Sequence, residues 1–370
     1  MRKWMNAERA EIAEISRRDP QRGRDDLRSL PLCDLCVKTS AFSACSAFGA
    51  ITIVLVVCCA PVVARAQQSG ARTQSGWKQP VTPWGEPDLR GIWPLNHLIS
   101  TPFQRPEKFG DRRFLTDEEF AAAQKSADDR NKRFLSGAIP QADAGQATRQ
   151  TSLMIDPPNG RFPELTPKGK ALYDQMRGSY KPGQTVFDSP EDFDSWDRCI
   201  TRGLPVSMLP RNYNNGIRIM QSRGYVIILL EMAHEARIIP TSKRPALDGS
   251  IRQYLGESRG RWEGNTLVVE TTNFNGKTAM TNLGVPGSPA LTPSTPNLRF
   301  TERFTRTAND TIDYQMTVED PEILTTGKWS AAFPMKLDND YKMYEYACHE
   351  GNTAIRNYIE TSRFERAQKK

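Results

Sequence analysis

The amino-acid sequence predicts a mainly β fold: an eight-stranded antiparallel meander over residues 217–366 that closes into a calycin-like barrel. Two observations lead to this prediction. Apolar and polar residues alternate in short runs, as expected for strands that bury one face. Turn-forming pairs such as Gly264-Asn265 and Asn309-Asp310 interrupt the runs about every ten residues. The predicted hairpins are Tyr225–Met232 with Arg237–Thr241, Gly260–Glu263 with Thr266–Phe274, Arg299–Thr307 with Thr311–Glu319, and Lys328–Leu337 with Lys342–Glu350.

Closure into a barrel follows from the order of these hairpins. Strands that follow one another in hairpins arrange most simply as an up-and-down barrel, and a barrel of this size encloses side chains or one small ligand. An open sandwich of the same strands is the alternative. The long connection 276–297 is then either a lid over the barrel mouth or a solvent loop without a role.

Residues 67–216 are predicted to be an irregular, short-helical lead-in that packs on the barrel. Repeated prolines exclude a helix from 67–115, because proline lacks the backbone donor that a helix needs. Helix starts are predicted at Thr116–Glu119, at Thr166-Pro167 and at Ser189–Asp192, where a hydroxyl residue precedes an acidic residue or a proline.

Residues 1–66 are predicted to be a secretory signal peptide. The apolar run Phe48–Ala64 ends in Ala64-Arg65-Ala66, which is a typical cleavage site. The acidic residues upstream are unusual for a signal, so 1–36 is interpreted as a start-site artefact. A transmembrane anchor is the alternative, although Pro61 breaks a run that is already short for a span. Cleavage predicts a periplasmic or secreted chain from Gln67 with no stable membrane anchor.

The charge of the mature chain argues against nucleic acid as a partner. Ten of the 50 Lys and Arg and seven of the 43 Asp and Glu lie in residues 1–66, which leaves 67–370 a net charge of +4. This charge is small and scattered, whereas proteins that bind nucleic acid or anionic membranes carry basic stripes or patches.

Cys199 and Cys348 are the two cysteines that remain after cleavage. An even number of cysteines in an oxidising compartment predicts a disulfide between them. Two buried thiols are the alternative. No C-x-x-C sequence is present in the mature chain, so neither a redox motif nor a zinc knuckle is predicted.

Several segments resemble an uncharacterised family of exported proteins from soil bacteria, whose members carry no assigned activity. The segments are IDPPNGRFPELTP at 155–167, GRWEGNTLVVETTNFNGKT at 260–278, RFTERFTR at 299–306 and YEYACHEGN at 344–352. The resemblance covers most of residues 80–360 and implies export and a shared fold. It implies no catalytic residues.

Strand faces indicate the candidate site residues. Alternation along Arg299–Thr307 places Glu302 inside, between Phe300 and Phe304, with Arg303 or Arg306 as its expected partner. The same argument turns Glu231 outward, because the other face of its strand is more apolar.

On the last predicted strand, Glu345 and His349 share a face and could act as general base and acid in the cavity. The catalytic candidates are therefore Glu302, Glu345 and His349, each with a purely structural role as the alternative. No metal site is predicted, because the three histidines, His97, His234 and His349, lie on separate segments without ligand spacing. No nucleotide-binding or nucleophile motif points to a cofactor.

Two functions follow from the sequence. The first is an exported protein that binds one small apolar or aromatic ligand in the barrel cavity. The second is an exported lyase, isomerase or hydrolase that uses acid–base side chains in the same cavity. Convergence of the candidate glutamates and histidine on one pocket would favour the enzyme, and their separate capture by arginines or backbone groups would favour binding.

Overall fold

Antiparallel sheets carry the fold. The computed structural model describes residues 77–137, 146–211, 213–282 and 284–368, so the predicted signal peptide lies outside the described residues. A four-stranded sheet has the order β1-β3-β4-β5, and a six-stranded sheet has the order β2-β12-β11-β10-β7-β6. The four-stranded sheet consists of β1 (Gly91–Ile92), β3 (Ile217–Ser222), β4 (Tyr225–Leu230) and β5 (Ala236–Pro240). The six-stranded sheet consists of β2 (Met154–Asp156), β6 (Glu257–Glu263), β7 (Thr266–Thr272), β10 (Arg299–Ala308), β11 (Thr311–Glu319) and β12 (Lys328–Lys336).

The predicted eight-stranded barrel is wrong. Neither large sheet closes on itself, because β2 and β6 end the larger sheet and β1 and β5 end the smaller one. The predicted last strand, Lys342–Glu350, is irregular chain. One edge of β12 pairs with β11, and the other pairs with β2, a strand that the sequence did not reveal. The result is closer to the alternative of an open sandwich.

Three of the four predicted hairpins form, namely β4–β5, β6–β7 and β10–β11. Their alternating burial is the one expected from period-2 sequences: Phe300, Glu302 and Phe304 are buried on β10, and Tyr314 faces the same interior from β11. One hydrophobic core takes side chains from both large sheets, including Ile228 of β4. The two sheets therefore share a core instead of enclosing separate ones.

The helices agree with the capping signals in two of three places. α1 (Asp117–Leu135) follows Thr116, whose hydroxyl accepts from the Glu119 backbone N–H at 3.2 Å. α2 (Pro167–Gln175) follows Thr166 in the same way. The third signal opens only a 3-10 turn, Pro190–Asp192. A helix that the sequence analysis missed, α3 (Ala354–Gln368), follows the irregular segment.

The long connection 276–297 is neither a free lid nor a plain solvent loop. It carries its own short hairpin, β8 (Thr281–Asn282) with β9 (Leu291–Thr292), and all four of these residues are buried. Among the described residues, no helix has both the length and the apolar character that a membrane span requires.

Candidate functional site

Glu302 lies inside, as the strand pattern predicts, but its partner is a different arginine. Its carboxylate is fully buried and forms a two-pronged ion pair with Arg237 of β5, in which Nη1 donates to Oε1 at 3.0 Å. The Tyr314 hydroxyl donates to Oε1 at 2.9 Å. Arg303 instead pairs with the exposed Glu263, and Arg306 bonds backbone carbonyls. The expected partners were wrong because Arg303 lies on the opposite face of β10 from Glu302, and Arg306, four residues further along the same face, bonds the Asp88 carbonyl and lies over the Trp93 ring.

The structure does not bring the three catalytic candidates together. Glu345 and His349 are exposed and lie on the irregular segment, whereas Glu302 is sealed inside the core. The predicted face that Glu345 and His349 share does not exist, because the segment is not a strand. An acid–base role for Glu302, Glu345 and His349 in one cavity therefore gains no support from their positions.

The predicted disulfide between Cys199 and Cys348 is present, with Cα atoms 5.6 Å apart. It fixes the irregular segment that follows β12. We call residues 338–352 the C-terminal strap. The Asn352 side-chain amide donates to the Asp197 carbonyl at 3.2 Å beside the disulfide, so the strap ends on the segment before β3.

Glu231 holds the other end of the strap and is buried, which corrects its expected outward orientation. Its carboxylate accepts from the Tyr341 hydroxyl at 2.7 Å and from the Tyr344 backbone N–H at 3.1 Å. It also accepts from the Gly216 N–H at 2.9 Å and from the Asn214 amide at 3.1 Å. The orientation follows from these donors, because they satisfy a carboxylate that would otherwise be costly to bury.

Two arginines, Arg202 and Arg211, are buried under this part of the molecule, and no carboxylate of the described residues pairs with either of them. They are 6% and 3% exposed, and within the described ranges neither is within 4.0 Å of a carboxylate oxygen. The Nη1 groups of both approach the Met232 sulfur, at 3.1 Å and 2.8 Å, which brings the two like charges to about 6 Å or less. A thioether sulfur is only a weak acceptor. Both Nε atoms are buried and have no hydrogen-bond partner in the part of the chain that the structure describes.

Other contacts of the pair go to neutral groups. Arg202 Nη2 donates to Asn282 Oδ1 at 2.5 Å, and Arg211 Nη2 donates to the Val206 carbonyl at 2.6 Å. Burial lowers the pKa of Arg202, and burial together with the charge of Arg202 holds the pKa of Arg211 well below its ordinary value. A guanidinium remains protonated in proteins, so this region keeps two positive charges.

Two acids lie near the pair and are themselves shifted by burial. Burial raises the pKa of Glu235, whose Oε2 accepts from the Ser207 hydroxyl at 3.3 Å. Burial and the nearby Asp197 raise the pKa of Asp194 to about 6. Glu235 influences Arg211 and Asp194 influences Arg202 through space, but neither forms an ion pair with them.

Aromatic rings surround Arg202. Its guanidinium carbon lies 4.5 Å from the centre of the Trp196 ring, and the ring centroids of Trp196 and Tyr346 are 5.6 Å apart. Tyr346 lies nearly parallel to Tyr213 at 6.3 Å. Tyr180 and Tyr213 are 47% and 50% exposed, which is unusual for large rings next to buried cations. We call Tyr180, Trp196, Tyr213 and Tyr346 the aromatic wall.

A shallow cleft lies beside Arg211, and its enclosed space of about 10 Å³ has room for roughly one water molecule. Its polar lining residues include Arg211, Asn214, Asn215 and Glu231, and Met232 connects it to Arg202. The strap lies against this cleft, because a Cβ added to Gly216 would stand 2.9 Å from both Tyr341 and Met343. In the part of the chain that the structure describes, no group of His, Cys, Asp and Glu could hold a metal ion.

Arg202 and Arg211 could not be found from the sequence, because they lie in the irregular lead-in, where no periodicity assigns strand faces. One signal was present: the apolar run LPVSMLP at 204–210 is flanked by the two arginines and contains no acid. Comparison of the chain with protein-family models, with curated proteins and with solved structures finds no match in any of the three, so the resemblance to an exported family stays a prediction.

Proposed function

We propose that this protein is an exported binding protein that holds one small anionic molecule at the arginine pair. The observation that carries the proposal is the close approach of two buried arginines, Arg202 and Arg211, that have no carboxylate partner among the described residues. Two buried like charges are unfavourable unless an anion neutralises them, and a guanidinium is the side chain best suited to bind a carboxylate or phosphate.

The Nε groups of Arg202 and Arg211 are donors that an anion could use. A buried N–H without an acceptor is rare, because it loses its hydrogen bond to water and gains nothing in return. Among the described residues the Nε of Arg237 also lacks a partner, so the two close like charges, and not the Nε groups, distinguish this site. An anion that accepts from both guanidinium groups would satisfy them and would reduce the repulsion between the charges.

Export is the second part of the proposal. The cleavage signal before Gln67 supports it, as does the Cys199–Cys348 disulfide, because such bonds persist mainly in oxidising compartments. N-terminal sequencing of the exported protein is expected to begin at Gln67. A start upstream of Phe48 would contradict this part alone.

Binding is tested by calorimetric titration of the full chain with inorganic phosphate and with acetate at fixed ionic strength. We expect saturable binding of at least one of them, and loss of at least tenfold in affinity in Arg202→Met. Arg218→Met is the matched control, since Arg218 is exposed on β3 and is expected to leave binding unchanged. Equal affinity in all three proteins, or no binding at all, would overturn the proposal.

An acid–base enzyme at the same place is the second candidate. The observation that favours it is the raised pKa of Glu235 beside the arginine pair, because shifted acids next to fixed charges are typical of catalytic sites. If the protein turns over its ligand, Glu235→Gln is expected to abolish turnover and to retain ligand binding. Turnover that survives this substitution would exclude Glu235 as the base.

A further inference from the structure

The four-stranded sheet has one face in the core and an opposite face that solvent reaches. On β4 every second residue is buried in the core, and the residues between them, Tyr225, Ile227 and Leu229, stay partly exposed. A strand that is apolar on both sides is typical of a sheet that is covered on both sides. We call the apolar and aromatic residues of the outer side the sheet face: Met220, Tyr225, Ile227, Leu229, Ile238 and Pro240.

The middle of the sheet face is a row of apolar side chains on three neighbouring strands. Met220 of β3 pairs with Ile227 of β4, which in turn pairs with Ile238 of β5. Directly paired residues point to the same side of a sheet, and Ile238 is 65% exposed. β3, β4 and β5 contain no acidic residue, and their only charge on the outer side is Arg218. A continuous exposed apolar surface of this kind marks a binding surface.

Three exposed cations lie together at the Tyr225 end of the sheet face. Arg223 lies in the tight turn between β3 and β4, and Lys243 and Arg244 follow β5. The two segments are adjacent, because a backbone N–H after β5 donates to the Gly224 carbonyl at 2.9 Å. The Arg244 guanidinium carbon lies 5.2 Å from the centre of the Tyr225 ring, so this charge borders the sheet face directly.

We call Arg223, Lys243 and Arg244 the basic corner. In the described part of the chain, no carboxylate oxygen lies within 4.0 Å of their charged nitrogens, so the corner keeps its positive charge. The sequence shows no basic stripe here, because these residues come from separate segments that only strand pairing brings together.

We propose that the sheet face and the basic corner dock the exported protein reversibly on a phospholipid surface with anionic headgroups. Such a surface offers both partners at once, because its phosphates meet the cations and its acyl boundary takes the apolar side chains. Tyr225 lies between the two regions and combines an apolar ring with a polar hydroxyl, as residues at membrane–water boundaries do. A second copy of the chain fits less well, because the same surface offers the basic corner no acid.

Vesicle sedimentation of the exported protein, purified without residues 1–66, tests the docking. Vesicles of phosphatidylcholine measure the apolar attraction alone, and vesicles with about 30% phosphatidylglycerol add the negative charge. We expect a partition coefficient at least tenfold higher on the anionic vesicles, and a decrease at about 0.5 M NaCl, because each cation near such a surface strengthens binding about fivefold and salt screens the attraction. Equal partition on both vesicles, or no binding to either, would overturn the proposal.

Variants of the surface locate the contact. Ile238→Ser is expected to lower the partition coefficient on anionic vesicles about threefold or more, because it removes exposed apolar area from the middle of the sheet face. The triple variant Arg223→Gln, Lys243→Gln and Arg244→Gln is expected to lower it at least tenfold.

The controls match these variants in exposure and in charge. Phe364→Ser removes a ring that is 64% exposed on α3. Lys125→Gln with Lys132→Gln and Arg133→Gln removes three exposed cations from α1, so it changes the net charge as much as the variant of the basic corner does. Both controls should bind like the wild type. Equal losses in controls and variants would reduce the binding to unspecific attraction and would contradict the proposal.

A fluorescent label at the sheet face reports the contact in a protein that is shown to be folded. The two cysteines after residue 66 form the disulfide, so Ile238→Cys supplies a single free thiol for an environment-sensitive dye. The emission of the dye should shift to the blue on anionic vesicles, whereas the same dye on Phe364→Cys should not respond. A shift at both positions or at neither would overturn the proposal. Dimerisation that Ile238→Ser abolishes, without binding to vesicles, would assign the face to a second copy instead. The surface shares no residue with the cleft beside Arg211, so none of these outcomes decides the anion site.

Discussion

Among the described residues three sites bury arginine: Arg105 donates to Thr151 and to backbone carbonyls, and the other two sites solve the problem of the charge in opposite ways. Arg237 lies between the two sheets and meets Glu302 in a two-pronged pair that Tyr314 completes. Arg202 and Arg211 lie in the irregular segment before β3 and meet a methionine sulfur and neutral oxygens instead. Both sites are at least nine-tenths buried, so solvent does not explain the difference.

The comparison shows two outcomes: folding gives the Arg237 charge a carboxylate partner, Glu302, whereas it gives the charges of Arg202 and Arg211 neutral acceptors. A paired buried arginine contributes to the packing of β5 against β10 and needs no ligand. Two buried arginines without a carboxylate lower the free energy of unfolding of the ligand-free protein, and a bound anion would restore it. The same residue type therefore has a structural role at one site and, as we propose, a binding role at the other.

The first and largest expected effect concerns the C-terminal strap, which lies against the cleft beside Arg211. Replacing both cysteines, Cys199→Ser with Cys348→Ser, removes a crosslink between residues 149 apart and is expected to lower the free energy of unfolding by about 5 kcal/mol. Urea denaturation of both proteins measures it. The matched control is the wild-type protein with reductant, which should unfold like the variant. A loss below about 1 kcal/mol would show that the strap holds without its crosslink.

The second expected effect follows from breaking the buried ion pair between Arg237 and Glu302. Glu302→Gln leaves Arg237 buried without a counter-charge, so we expect a loss of about 3–5 kcal/mol in the free energy of unfolding. The double variant Glu302→Met with Arg237→Met removes both charges and is expected to recover most of that loss. Ligand binding at the arginine pair should persist in every variant that folds. If Glu302→Gln unfolds like the wild type, the pair is not a structural element.

The third and smallest expected effect is the pH dependence of stability that Asp194, which lies near Arg202, contributes. The pKa of Asp194, which burial and Asp197 raise to about 6, exceeds its ordinary value of 3.8, so the folded state binds the proton more tightly than the unfolded state. This group favours the folded state at low pH, and that contribution is lost as pH rises from about 4 to 6, by up to about 3 kcal/mol.

Asp194→Asn should remove that pH dependence. The amide oxygen can still accept from the Trp196 and Asp197 N–H groups, which Asp194 Oδ1 accepts at 2.8 Å each. Anion affinity of the wild type should also rise below pH 6, when the negative charge near Arg202 disappears. Parallel pH profiles for wild type and Asp194→Asn would contradict the raised pKa.

The strands with regular alternation could be predicted from the sequence, and the closure of the barrel could not. On β11 every second residue is apolar or aromatic, and on β10 Phe300 and Phe304 flank Glu302 on one face, so the pairing and the inward position of Glu302 followed directly. The segment 342–350 has a similar local pattern. It leaves the sheet because Tyr341, Tyr344 and Cys348 find partners at Glu231 and Cys199, more than 100 residues away. The local sequence pattern cannot show that contacts with residues so far away in the chain compete with strand pairing.

The candidate site was less accessible to sequence analysis than the fold. The disulfide could be predicted because two cysteines remain after cleavage and export leads to an oxidising compartment. The arginine pair needed three-dimensional information, because Arg202 and Arg211 are defined by the absence of a neighbour. Met232, which brings them together, comes from the turn after β4 and lies about 20 to 30 residues further along the chain.

The most direct test of the central claim compares Arg202→Met with Arg237→Met by urea denaturation, with and without the ligand. Without it, Arg237→Met should lose about 3–5 kcal/mol because Glu302 stays buried alone. Arg202→Met should stay within about 1 kcal/mol of the wild type, since Asn282 Oδ1 keeps its bond from the Gly284 N–H at 2.8 Å. The anion that binds in calorimetry, at a hundred times its dissociation constant for the wild type, should add about 2.7 kcal/mol to the wild type and about 1.4 kcal/mol or less to Arg202→Met, whose affinity is at least tenfold lower. Equal losses in the two variants, with equal gains from the anion, would contradict the account.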